Sequence, residues 1–457
     1  MTIIPLEDRF SARSRPAVWQ FALFAGVTVA VAAASLWTPD RLIGVLYWTC
    51  WGLFMVNALM RALATTVPPR ARDFDAFLDA SNENLPTYSV IVALYKEAKI
   101  VPQLTAALDA LVYPRDRLEV LFALEDDDHE TLIAFEDRLS TRADLSHMRV
   151  VRVPHGFPRT KPRALNHALA QAQGDLIVIY DAEDQPGPPQ LLEAAHRFAT
   201  GPADLACLQA PLRPLRGNTF ISKQFTAEYA VQFDVLLPAF QAWGLPFALG
   251  GTSNHFKAPV LKAIGAWDAY NVTEDADLGL RLAQYGHRSA LIATPTLESP
   301  PTTLTAWIPQ RTRWIKGYIQ TIIVHTRRLR DLRPDVAAAL SVGIGLSALS
   351  ALCYAPFTAL LLANALLQVL EFGPFILPLQ DWALLIIGTG SALWALKTGT
   401  RRAGVVFTTG DLLHAPVYWA LQSISAAFAL YQLVTRPFHW DKTDHEPVGP
   451  AEDAHAE

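Results

Sequence analysis

Two apolar segments near the start of the chain, four residues apart, constrain everything that follows. Ala17 to Trp37 holds no charged residue, and neither does Leu42 to Met60. Each is about as long as a helix needs to cross a bilayer core, roughly 20 residues. Thr38-Pro39-Asp40-Arg41 between them is turn chemistry, so residues 1–61 read as a transmembrane hairpin. Arg9, Arg13 and Arg15 precede the first segment, and Arg61, Arg70 and Arg72 follow the second. The positive-inside bias therefore puts both ends of the hairpin, and the domain after it, in the cytoplasm. The alternative is a signal peptide cleaved near Ala32-Ala33-Ala34; it calls for a shorter apolar core and no second span.

The far end of the chain is apolar again. Arg327, Arg328, Arg330 and Arg333 form a basic collar before the uncharged stretch Val336 to Leu370. That stretch exceeds one span, which predicts either a tilted helix running past the bilayer or a break near Pro356. Phe375 to Leu396 reads as another span after Gly373-Pro374. Leu412 to Val434 is either a third span or an interfacial helix. Arg401, Arg402 and Arg436 put both its ends inside and favour a re-entrant or interfacial course. Residues 327–436 thus form a C-terminal membrane region, 437–457 a tail, and 62–84, with Pro68-Pro69, a linker. The expected location is multi-pass in the inner (plasma) membrane. The net charge of −5 and the lack of a basic run argue against nucleic acid as a partner. The three cysteines, Cys50, Cys207 and Cys353, match no metal spacing or disulfide framework.

Between the membrane segments, residues 85–326 alternate strand and helix patterns. Apolar runs at Thr87 to Leu94, Leu118 to Leu124, Arg149 to Val153 and Leu176 to Tyr180 predict strands buried on both faces. With helical patterns between them they indicate an α/β domain with a mostly parallel sheet. In such sheets ligands bind beyond the carboxyl ends of the strands. Polar clusters fall at those ends: Tyr95-Lys96-Glu97, Glu125-Asp126-Asp127-Asp128 and Asp181-Ala182-Glu183-Asp184. Folding alone does not require acids at successive strand ends.

Each cluster has a chemical reading. Asp181 and Glu183, spaced D-x-E on a turn, can hold Mg²⁺ or Mn²⁺ against phosphates, with Asp184 replacing or assisting one of them. Lys161 opens a helix over Pro162 to Gln173, a site suited to a phosphate or a carboxylate. One of Glu125, Asp126 and Asp127 can accept a hydrogen bond from a nucleobase; a solvated acidic loop is the structural alternative. Thr273-Glu274-Asp275 starts an amphipathic helix over Ala276 to Tyr285. There the acids complement the helix dipole, or Asp275 serves as a general base. In Gln310-Arg311-Thr312-Arg313-Trp314-Ile315-Lys316-Gly317, Arg311 and Arg313 can contact a diphosphate and Trp314 can stack on a sugar face. A juxtamembrane basic helix with an interfacial tryptophan is the alternative.

The order of these motifs (strand-end acids, a D-x-D-type turn, T-E-D, then Q-x-x-R-W) resembles membrane-embedded family 2 glycosyltransferases, the group with cellulose, chitin, hyaluronan and mannan synthases. The resemblance covers roughly residues 85 to 325. It implies a GT-A-type nucleotide-sugar-binding domain inserted between transmembrane helices. By it, Tyr95, Glu97, Glu125, Asp126 and Lys161 would serve the nucleotide, and Asp181, Glu183 and Asp184 the metal. Glu274 and Asp275 would be catalytic, with Asp275 the base. Gln310, Arg311, Arg313 and Trp314 would line the donor and acceptor site. It further implies an inverting, metal-dependent, processive enzyme that extends a β-linked exopolysaccharide from a UDP-sugar, with UDP-glucose the expected donor. Variants are a single-sugar transferase acting on a lipid carrier and a GDP-mannose-dependent synthase; a non-catalytic scaffold is a further alternative. The implied partners are a nucleotide sugar, a glycan acceptor and the bilayer, with room for periplasmic export partners. The metal motif departs from the pattern in reading D-A-E-D. No long tail follows the last apolar segment, so no C-terminal regulatory domain is expected. Residues 436–445 resemble the P-F-x-W-x-K-T-x-H close of some β-glycan synthases.

Overall fold

A computed structural model describes residues 2–69, 85–215, 217–370 and 378–439. The strands are β1 (Tyr88–Leu94), β2 (Leu118–Glu125), β3 (Met148–Val153), β4 (Leu176–Tyr180), β5 (Gln185–Pro186), β6 (Leu205–Gln209), β7 (Leu212–Pro214), β8 (Asn254–Lys257), β9 (Arg288–Leu291) and β10 (Thr296–Glu298). Seven form one sheet in the order β3-β2-β1-β4-β8-β6-β9, and β5-β10-β7 form a small second one. Only β8 runs antiparallel to its neighbours in the large sheet, so the expectation of a mostly parallel α/β sheet holds.

Alternation along the strands explains why both faces are apolar. Tyr88, Val90, Val92 and Leu94 enter one core layer, while Ile91 enters the other with Leu121, Ile177 and Ile179. Successive side chains of a strand point to opposite faces, and here each face is covered by helices. The longer helices are α1 (Val18–Trp37), α2 (Pro39–Thr66), α3 (Val101–Asp109), α4 (His129–Ser140), α5 (Lys161–Leu169), α6 (Gln190–Thr200), α7 (Phe220–Val231), α8 (Glu274–Gln284) and α9 (Leu304–Thr326). α10 (Pro334–Leu370), α11 (Leu379–Ala403) and α12 (Thr409–Thr435) follow. α5 ends at Leu169, four residues short of the expected Gln173.

Among the described residues α1, α2, α10, α11 and α12 are long and apolar enough to cross a membrane. α10 runs helically through Pro356, so the expected break is absent there. Its irregularity is a π-helical turn at Leu340–Gly345. α12 packs along α9. Trp307 Nε1 donates to Tyr418 Oη at 3.0 Å, Thr312 Oγ1 to the Ser425 carbonyl at 3.4 Å, and Lys316 Nζ to Gln432 Oε1 at 3.0 Å. The pairs advance together, so α12 runs alongside α9 in the same direction. Its start is held by Gln224, whose amide donates to the Asp411 carbonyl at 2.7 Å. Beyond its end, Gln320 donates to the Pro437 carbonyl at 3.0 Å. The start of α12 is thus held by α7, and the residues after its end by α9. Trp440 to His445, the rest of the tail motif, lies outside the described residues, as does most of the linker.

Candidate active site

Asp181, at the end of β4, and Asp275, at the start of α8, lie on either side of Lys161 and Gly251. Lys161, first residue of α5, pairs with Asp181 at the end of β4, and its Nζ donates to the Gly251 carbonyl at 2.8 Å. Gly251 faces Asp275: a Cβ added there would lie 3.3 Å from Asp275 Oδ2. One lysine and one glycine thus link the metal-type acids to the expected base. Burial acts against the Lys161 charge, but Asp181, Glu274 and Asp184 hold its pKa above the usual lysine range. Burial raises Asp275, opposed by the charges of Lys161 and Arg313. Burial first, then the neighbouring Asp275 charge, pushes Glu274 up to about 8. Raised carboxylates packed beside specific cations are typical of functional sites.

α8 is anchored from behind. Asp277, fully buried, accepts from Arg281 Nε at 3.1 Å and lies 3.0 Å from His325 Nε2. Arg281 in turn donates to the carbonyls of Ile264 and Ala266. This fixes the first turn of α8, where Glu274 and Asp275 sit.

The D-A-E-D turn divides its labour. Asp184 is buried; its Oδ2 accepts from the Asp181 amide at 2.7 Å and from the Thr252 hydroxyl. Its Oδ1 is buried without a hydrogen-bond partner. Burial, then Asp181 and Glu183, raise its pKa well above the carboxylate range. Glu298 on β10 joins this cluster, raised by burial and then by Asp184, Glu183 and Asp181. A crowd of carboxylates around the orphaned Asp184 Oδ1 fits a divalent cation, although no group of three metal-type side chains forms a ready ligand set among the described residues.

On the nucleotide side, Glu125 Oε2 accepts from Arg163 at 2.8 Å, and Arg159 reaches both oxygens of Asp127. Arg159 also lies over the Tyr95 ring at 5.1 Å. Asp126 uses its amide to hold β3 through the Val153 carbonyl, and Glu97 is buried with its amide on Thr131. Tyr95 and Glu125 thus rim the sheet end, whereas Glu97 is turned into the fold.

The Gln310–Trp314 segment splits. Arg313 Nη1 reaches the Val272 carbonyl at 3.4 Å and its charge acts on Glu274 and Asp275. Arg311 is placed elsewhere, contrary to the diphosphate contact expected of it. It is buried and donates to Glu228 at 2.8 and 2.5 Å and to Tyr418 at 3.1 Å. With Glu228 so close, its guanidinium is committed to another wall. Trp314 stacks under Arg311 at 4.5 Å, and Gln310 buries an Oε1 without a partner.

A cavity of about 430 Å³ starts at Asp275, Gly251 and Trp314 and continues between α2, α7, α10 and α11 as far as Leu361 and Leu385. Sequence reasoning missed two of its contributors and one member of the acid cluster. Glu228, on the cavity wall, lies on a helix with no motif. Glu298, beside Asp184, lies in a three-residue strand. The Gly250-Gly251 loop is held by Gln209 and Asn254; a glycine doublet after an apolar run was the available signal.

Comparison with known proteins agrees with this geometry. Residues 86–317 match the family described as glycosyltransferase like family 2. The β-monoglucosyldiacylglycerol synthase of Synechocystis is 28% identical over 65% of this chain and 62% of its own length. The UDP-forming cellulose synthase catalytic subunit of Pseudomonas fluorescens is 28% identical over 53% of this chain and 32% of its own. The chain therefore spans less than two thirds of either relative. The solved mannosyltransferase PcManGT from Pyrobaculum calidifontis, in complex with GDP-Man and Mn²⁺, superposes with a TM-score of 0.54 at 16% identity, covering 86% of this chain and 99% of that one. At that identity the likeness is one of fold, and the fold is GT-A-like. With the family matched over just over half of its 457 residues, the chain belongs to the family 2 glycosyltransferases.

Proposed function

We propose that the chain transfers a hexose from a nucleotide diphosphate, with inversion, to a hydroxyl of a membrane lipid. One observation carries this: the cavity that begins at Asp275 is rich in charged groups at that end and mostly apolar beyond it. Arg61, Gln224, Glu228, Arg311 and Gln422 line the near part, and Phe357, Leu361, Leu384 and Leu385, with Thr358 and Asp381 among them, the far part. That gradient matches an amphiphile with its hydroxyl at the base and its chains among the helices. Small-molecule sites take this form, mostly apolar with a few placed polar groups. The arginines flanking the apolar helices support a cytoplasmic catalytic domain, with α12 lying along the interface.

Asp275 accepts the proton of the acceptor hydroxyl as its oxygen attacks the anomeric carbon from the face opposite the diphosphate. Lys161 and Arg313 favour the ionised form of Asp275, and Glu274 beside it keeps its proton at neutral pH. Lys161, at the amino end of α5, is also placed to meet a phosphate. Asp181 and Glu183 would hold a divalent cation, which neutralises the leaving diphosphate when bound; Asp184 fixes the turn that carries them. Tyr95 and Glu125 border the nucleoside, and UDP-glucose is the proposed donor. The Synechocystis relative, whose name states a glucosylated diacylglycerol product, supports the acceptor class.

A second reading is the processive extension of a β-glycan. The aromatic residues Tyr318, Tyr354, Tyr418 and Trp419 along the cavity favour it, since aromatic faces suit sugar rings. The test is transfer by purified protein in lipid, using labelled nucleotide sugars with Mg²⁺ or Mn²⁺. A solvent-extractable single-sugar lipid supports the first reading, and a water-soluble polymer the second. Label in neither fraction refutes both.

A further inference from the structure

We propose that the lipid acceptor is an anionic glycerophospholipid with a free headgroup hydroxyl, and that Arg61 binds its phosphate; this rests on the lipid-acceptor reading above. Arg61 lines the cavity from α2, and no hydrogen bond or ion pair engages its guanidinium among the described residues; its Nε is buried without a partner. The charge that acts on it is Glu228, yet that carboxylate is spent. Both its oxygens accept from Arg311, one also accepts from Tyr418 at 2.7 Å, and Gln422 lies 3.4 Å from the other. Two guanidinium groups thus face one carboxylate. Asp275, the other acid lining this end, is engaged by the charges of Lys161 and Arg313. A buried cation that has to share its one nearby carboxylate is costly, and an anion from the substrate removes the cost.

Depth and shape identify the anion. Arg61 lies five residues from the end of α2 at Thr66, about 7 Å along the helix axis. That is the headgroup level if α2 spans the membrane. A guanidinium engages a phosphate through two parallel hydrogen bonds. Beyond it the lining is mostly apolar, with Asp381, engaged by the Tyr47 hydroxyl, among Phe357, Leu361, Leu384 and Leu385, which suits acyl chains better than a charged glycan. With the phosphate on Arg61, a headgroup hydroxyl a few bonds away is directed toward Asp275. In the transfer the hydroxyl oxygen bonds to the anomeric carbon, the bond from that carbon to the diphosphate oxygen breaks, and the proton passes to Asp275.

Binding is read apart from turnover. Full-length Asp275→Asn protein in neutral detergent is heated with phosphatidylglycerol, with diacylglycerol, or with a uronic-acid oligosaccharide. Phosphatidylglycerol should raise the unfolding temperature and the others should not; Arg61→Gln should abolish the rise and Arg61→Lys should keep most of it. In the active protein Arg61→Gln should raise KM for phosphatidylglycerol at least tenfold, with kcat within threefold. An equal rise for diacylglycerol, a rise that survives Arg61→Gln, or stabilisation by the oligosaccharide alone overturns the phosphate site. If diacylglycerol is then the lipid that gains sugar, the lipid-acceptor reading still stands. A labelled polymer with no labelled lipid removes that reading and the acceptor role of the phosphate together.

Discussion

Gly317→Ala probes the joint between α9 and the carboxylates proposed for catalysis, Glu274 and Asp275. An added Cβ at Gly317 would sit 2.3 Å from Thr273 Oγ1, 2.5 Å from its Cγ2 and 2.8 Å from its Cβ, where ordinary contact begins at 3.4 Å. All three are near the backbone, so α9 and the start of α8 must separate by about 1 Å, an overpacking that costs roughly 1–3 kcal/mol. Thr273 immediately precedes Glu274 and Asp275, and the shift passes to the base. A displacement of about 1 Å at a reacting group costs on the order of 100-fold in rate. The Thr273 side chain makes no cap hydrogen bond to α8 and donates only a long one, 3.4 Å, to Asn271 Oδ1, so Thr273→Ala alone should cost far less activity than Gly317→Ala. It removes two of the three clashing atoms, and the double variant should recover most of the lost activity. The assay is kcat at saturating donor and acceptor, with the unfolding temperature measured alongside. A Gly317→Ala protein with kcat within threefold of the parent and an unchanged unfolding temperature would falsify this view of the joint. Failure of the double variant to recover would show that the loss has another origin.

Three further outcomes are expected. Asp275→Asn should abolish transfer while nucleotide binding, followed by calorimetry, stays within about threefold; normal turnover would remove Asp275 from the mechanism. Trp314→Ala should weaken acceptor use more than donor binding, because the ring lines the cavity; equal changes in the two KM values would contradict its placement. The Glu274 carboxyl, pushed up to about 8 from an ordinary 4.5, keeps its proton in the folded chain over a range where the unfolded chain has lost it. Stability should therefore fall as pH rises from about 5 to 8. Glu274→Gln should flatten that part of the profile of unfolding temperature against pH, and a profile as steep as the parent's would count against the buried proton.

How much of this was legible in the sequence follows from where the partners lie. β1 to β4 could be read because both faces are buried, which leaves unbroken apolar runs. β8 could not: Asn254-His255-Phe256-Lys257 puts a histidine in the sheet, satisfied by Tyr88 Oη at 2.5 Å and Gln190 Oε1 at 3.2 Å. Those partners lie 167 and 65 residues away, so local pattern gives no sign that the position is tolerable. The same limit hid Glu228 and Glu298, each meaningful only through residues far along the chain. The acids of Asp181 to Asp184 could be singled out because chain geometry itself brings strand ends to one edge of a parallel sheet; Asp275 stood out only as part of Thr273-Glu274-Asp275 at a helix start.

The division of Arg311 from Arg313 follows from helix geometry alone. Residues two apart on a helix point about 200° apart, so neighbouring arginines cannot both grip one diphosphate from a single helix face. Trp307, Arg311 and Trp314 share a face, as their spacing of three and four dictates, and that face lies over the cavity end where Arg311 meets Glu228. Arg313 and Gly317 turn toward α8, where one acts on the carboxylates by charge and the other by close approach. Thr312 and Lys316 take the side that holds α12. One helix therefore touches the cavity, the start of α8 and α12 at once. A change at Gly317 bears directly on Thr273, next to the proposed base, which is why a methyl group there is expected to register in kcat.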